Sequence, residues 1–137
     1  MSTARPVLRA FRRPWLWLAG WILLFALVAV GSLLPPSGLP PVLPGLDKLQ
    51  HFIGYAVLSA YGVMLFARMR PQALAALVVI AFGILLEFAQ AAWTVDRMGD
   101  SADAMANALG ALAGLVVSAT PIAGWLQQLD KRLWRPL

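Results

Sequence analysis

From position 15 to position 34 the chain carries no charged residue. A run of about 20 apolar residues is what a helix needs to cross the ~30 Å hydrocarbon layer. Inside that layer every backbone N–H and C=O must be satisfied within the protein, so such a run is helical unless it belongs to a closed barrel. Three more runs follow, at 49–67, 72–93 and 104–122, separated by short segments that hold most of the charge and proline. Hydrophobic residues make up 61% of the chain and charged residues 12%. Soluble domains carry about twice that share of charge, too much to match this chain. The fold class expected is an all-α membrane protein, four transmembrane helices packed as a bundle. Residues 1–14 form a basic N-terminal segment, 15–123 a single membrane domain and 124–137 an amphipathic basic tail. The first run ends in Leu33-Leu34-Pro35-Pro36 with no small-residue cleavage site. It is read as an uncleaved span and not a signal peptide.

The basic residues set the orientation. Arg5, Arg9, Arg12, Arg13, Arg68, Arg70, Lys131, Arg132 and Arg135 fall in the segments at one end of the bundle, and only Lys48 and Arg97 at the other. By the positive-inside rule both termini are cytoplasmic. The net charge of +5 forms no continuous stripe, so nucleic acid is not the expected partner; the bilayer is. Cysteine is absent, which excludes disulfides and thiol-based metal or redox sites.

With this topology the polar residues of the spans gather at the outer end. Asp47, His51, Tyr55 and Leu58 are spaced i, i+4, i+8, i+11 and share one helix face. Glu87 and Gln90 share another, with Glu87 ~9 Å below the helix end. Asp100, Asp103, Asn107, Gly110 and Gly114 form a third face, and Gly110-Ala-Leu-Ala-Gly114 lets a second helix approach closely. That second helix belongs either to the same chain or to another copy. The segment 35–48, with prolines at 35, 36, 40, 41 and 44, is expected to be extended, a connector over the outer face with a lid as the alternative.

A carboxylate within a membrane helix costs ~2.5–3.5 kcal/mol unless paired or hydrated. Glu87 is therefore either half of a structural pair with Arg97 or His51, or an acid/base group held away from bulk water. His51, the only histidine, titrates near neutral pH. The candidate acid/base residues are Glu87, His51 and Asp103. The candidate binding residues are Asp47, Gln90, Arg97, Asn107 and Tyr55, with the guanidinium of Arg97 suited to an anionic group or to its acidic neighbours. Asp47, His51, Glu87 and Asp103 would suit a divalent cation. With one histidine, no cysteine and no compact ligand motif, though, neither a metal nor any other cofactor is expected.

Three blocks resemble the VanZ-like family of small bacterial membrane proteins. They are Asp47-Lys48-Leu-Gln-His51-Phe52-Ile-Gly-Tyr55, then Glu87-Phe-Ala-Gln90, then Arg97 with Asp103, Asn107, Gly110, Ala111 and Gly114. Together they span 47–114. The family is named for a protein that raises teicoplanin resistance without the usual remodelling of the peptidoglycan precursor. The resemblance implies a multi-pass protein of the cell envelope, in a bacterial inner membrane, and it points to glycopeptide susceptibility as a phenotype. It supplies no reaction, so enzyme and binding protein both stay open. The leading expectation is an outer-leaflet site for a lipid-linked or wall-related molecule. A non-catalytic scaffold is the alternative, and a small proton-coupled carrier ranks below both.

Overall fold

A computed structural model describes residues 6–34, 45–93 and 100–134. The order is α1 (Pro14–Leu33), α2 (Leu46–Leu65), α3 (Met69–Trp93) and α4 (Ser101–Leu115). Two short 3-10 turns follow, Val116–Ala119 and Pro121–Gly124, and then α5 (Trp125–Leu133). Among the described residues there is no strand, only an isolated bridge between Leu8 and Phe66. The expected helices are present with shifted ends. Helix α2 opens at Leu46, after Gly45 at φ +88°, a conformation that glycine adopts without strain. Asp47 and Lys48 thus lie in its first turn. Helix α3 opens at Met69 and takes Pro71 into its first turn, where the missing N–H is no loss. Helix α4 opens at Ser101 because Asp100 caps it, its carboxylate accepting from the Ala102 N–H at 2.8 Å. The expected fourth span to residue 122 is interrupted: the chain tightens at Val116, turns extended at Thr120 and restarts at Pro121.

Among the described residues, three segments are long and apolar enough to cross a membrane: Pro14–Leu33, Met69–Trp93 and Ser101–Ala119. Their outward side chains are the large apolar ones. Ile22, Leu23 and Leu27 on α1, Leu74, Leu85 and Phe88 on α3, and Met105, Leu109 and Leu112 on α4 are all exposed. A patch of that extent on a soluble monomer would drive association; here it is consistent with a lipid-facing surface. Helix α2 is equally long but less apolar, and it is the most enclosed. It buries Tyr55, Leu58, Ser59, Gly62, Val63 and Leu65, whereas α1 buries none of its residues.

The α2–α4 contact is backbone against backbone. A Cβ placed on Gly110 would lie 2.2 Å from the Phe52 carbonyl oxygen, and one on Gly114 would lie 2.4 Å from that of Ala56. The GxxxG motif is thus engaged within the protomer. Next to this seam sits the core of Tyr55, Leu58, Val79 and Ala111, with Trp21, Phe25 and Phe82 packed against it. Trp21 also donates its indole N–H to the Leu58 carbonyl at 2.9 Å, so this tryptophan anchors α1 to α2.

The end of the bundle where α1 and α3 begin is closed by the N-terminal segment. The Arg9 N–H donates to the Leu65 carbonyl and the Ala67 N–H to the Val7 carbonyl, both at 2.9 Å. The carboxylate of Asp130 on α5, fully buried, accepts from the Arg12 N–H at 2.6 Å and the Trp17 indole N–H at 2.8 Å. Burial pushes this carboxyl up. The Arg12 N–H, the Trp17 indole and the Arg13 N–H outweigh it and hold the group below the usual carboxylate range. The basic N-terminal segment and the tail are therefore joined to each other.

Candidate functional site

Three helices bring His51, Glu87 and Asp103 together at the end of the bundle where α2 and α4 begin and α3 ends. His51 sits in the second turn of α2. Its Nδ1 lies 3.9 Å from Glu87 Oε1 on α3 and 4.0 Å from Asp103 Oδ2 on α4. Both distances exceed a hydrogen bond, and Nδ1 is a buried atom with no hydrogen-bond partner. Glu87 is 9% exposed. Its Oε2 accepts from the Asp100 N–H at 3.2 Å, and its Oε1 lies 3.5 Å from Asn107 Nδ2. Asn107 is buried and its Oδ1 has no partner. The spacing of Asp103 and Asn107 along α4 aims both side chains at the Glu87–His51 pair, as their shared face predicts.

Lys48 organises the rim. Its ammonium lies 2.9 Å from Asp100 Oδ2 and 3.0 Å from Asp103 Oδ1, joining the first turn of α2 to the start of α4. Asp47, about half exposed, is 3.5 Å from the same ammonium. The Lys48 contact, and then the Ala102 N–H, hold the Asp100 carboxyl below the usual carboxylate range. Each inner carboxylate thus has one oxygen committed to a donor and the other turned toward His51.

Tyr55 lies one turn below His51 and is 3% exposed. Its ring packs over Gly83, where a Cβ would meet Tyr55 Cε1 at 2.8 Å and Asn107 Cβ at 3.0 Å. Gly83 therefore makes room for two candidate site residues at once. Its place one turn before Glu87 is the only sequence signal of that role. Gln90 donates to the Ser32 carbonyl at 2.8 Å and so ties α3 to the end of α1. It shares the Glu87 face, yet it points to a neighbouring helix. Arg97 and the proline-rich segment 35–44 lie outside the described residues.

Two cavities flank the cluster. One of about 200 Å³ lies between α1 and α2 and is lined by Ser32, Gln50, His51 and Tyr55 among others. The other, about 280 Å³, lies between α3 and α4 beside Glu87, Phe88, Asp100 and Ser101. His51 and Glu87 therefore each border open space. Gly83 completes the site beyond what the periodicity of single helices indicates, whereas Asp100 stands on the third polar face and Lys48 beside Asp47 in the sequence. A comparison with protein-family models, with curated proteins and with solved structures finds no match to this chain.

Proposed function

We propose that the chain crosses the membrane four times, with α2 as the enclosed span and both termini cytoplasmic, and that the His51–Glu87–Asp103 cluster at its outer end binds the polar head of an envelope molecule. The substrate class is a lipid-linked or wall-related molecule. That proposal is in keeping with the VanZ-like resemblance and with glycopeptide susceptibility as its cellular readout. The observation that carries the reading is the convergence of three titratable side chains from three helices between two cavities. In the chemistry proposed, Glu87 and His51 exchange a proton with the bound head group, and Asp103 orients the imidazole. Asn107 and Tyr55 line the approach, Asp47 stands at the rim, and Arg97 contacts an anionic group.

Photo-crosslinking or radiolabel binding with lipid-linked wall precursors tests this reading. Wild type retains the precursor and Asp103→Asn loses it at least tenfold. Equal binding by the two proteins overturns the proposal.

A scaffold role is favoured by one specific observation: Lys48 is paired with both Asp100 and Asp103 and so clamps α2 to α4. On that reading neutralising the cluster lowers stability and no precursor binds.

A further inference from the structure

We propose that His51 Nδ1, Glu87 Oε1 and Asp103 Oδ2 form a binding site for a single divalent transition-metal ion, with Zn²⁺ as the best fit. All three atoms lie within 4.8 Å of one another. His51 Nδ1 lies 3.9 Å from Glu87 Oε1 and 4.0 Å from Asp103 Oδ2, and no hydrogen bond joins the histidine to either acid. Two carboxyl oxygens and a buried nitrogen thus meet across gaps too wide for a hydrogen bond. An ion at the centre needs ligand distances of ~2.0–2.2 Å, which side-chain rotations closing the gap by a few tenths of an ångström would provide. One nitrogen and two carboxylate oxygens match the donors Zn²⁺ takes, and three protein ligands leave a position open for water or substrate.

The surrounding contacts are those a metal site uses. The second oxygen of Glu87 is fixed by the Asp100 N–H, and the second oxygen of Asp103 by Lys48. Each carboxylate therefore presents one oriented oxygen to the centre. Asn107 supplies an independent sign. It is 2% exposed, its amide reaches the same Glu87 oxygen that faces His51, and its Oδ1 is left without a partner. A buried amide oxygen at that place accepts from a metal-bound water. Among the described residues at this end, four carboxylates stand against one lysine, so a divalent cation offsets charge that Lys48 alone leaves.

With an ion bound, His51, Glu87 and Asp103 would serve as its ligands in place of the acid/base roles proposed above; the ion can be titrated with no envelope molecule present. The protein is purified in detergent through a tag that contains no histidine, stripped with chelator and titrated with Zn²⁺. The expected result is one ion per chain by elemental analysis, a rise in melting temperature, and at least a tenfold loss of affinity in both Glu87→Gln and Asp103→Asn. Co²⁺ serves as the probe on unmutated protein: since His51 is the sole imidazole, its ring resonances should show paramagnetic shifts. Failure to bind Zn²⁺ stoichiometrically overturns the site. So does Co²⁺ binding that leaves the His51 ring unshifted, or variants that keep wild-type affinity. Precursor binding that persists in the stripped protein refutes any metal requirement and leaves the proposed function standing. Loss of precursor binding with metal binding intact does the reverse.

Discussion

Gly110→Ala tests the contact on which the site depends. The new methyl would sit 2.2 Å from the Phe52 carbonyl oxygen, and real Cβ atoms essentially never come nearer than 3.0 Å to a neighbour. The obstacle is backbone, so no rotamer change relieves it. Helix α2 must retreat from α4, and His51, the residue before Phe52, retreats with it from Asp103. Overpacking of this kind costs ~1–3 kcal/mol. Removing a glycine from a helix interior returns up to ~1 kcal/mol. Against a glycine-to-alanine control that shares the propensity gain, the net expectation is a loss of about 1–3 kcal/mol, read as a lower unfolding midpoint in a detergent titration. Gly54→Ala is the control, because it lies on α2, the helix that Gly110 meets, with nothing within 4 Å of the added Cβ. That variant is expected to match or exceed wild type. If Gly110→Ala is as stable as Gly54→Ala, the two backbones are not in contact, and the position of His51 relative to Asp103 needs another explanation.

Glu87→Gln, measured beside His51→Ala and Asp103→Asn, is expected to melt at or above wild type, since removing a buried charge relieves ~2.5–3.5 kcal/mol of insertion cost and working sites often sacrifice stability. Melting of all three well below wild type would make the cluster glue between helices. Asp130→Asn is expected to lose ~1.5–3 kcal/mol, the worth of hydrogen bonds to a buried charged group, measured by the same titration. Because the folded Asp130 carboxyl is depressed below its ordinary value of 3.8, its contribution is complete above that value and disappears as pH falls through the lower folded one. The variant should therefore show a shallower acid-side loss than wild type, and parallel acid profiles would contradict the buried contact. The cysteine-free chain also allows a direct topology test. Ser101→Cys should react with an impermeant maleimide from outside whole cells, and Gln128→Cys only after lysis; labelling of both, or neither, from outside refutes the orientation.

The sequence by itself determined that the chain is helical and that some of its helices are of membrane-spanning length. Runs of that length and apolarity leave the backbone no alternative in hydrocarbon. It also placed Asp103, Asn107, Gly110 and Gly114 on one face, because helical periodicity is local and needs no partner. Helix ends were less legible. The start of α4 depends on whether Asp100 or a later residue turns its side chain back to the backbone, and both are aspartates. What only the tertiary structure decided is which faces meet. Sequence spacing cannot say that Gly110 seats Phe52 rather than a second copy of the chain, or that Gln90 reaches the end of α1 while Glu87, three residues earlier, faces His51. The joining of Asp130 to Arg12 and Trp17 is of the same kind. More than a hundred residues separate them, and only the packing of α5 against the N-terminal segment brings a carboxylate to those donors. Local pattern fixes what each helix offers. The close approach of α2 and α4, set by two missing Cβ atoms, fixes what those offers make together.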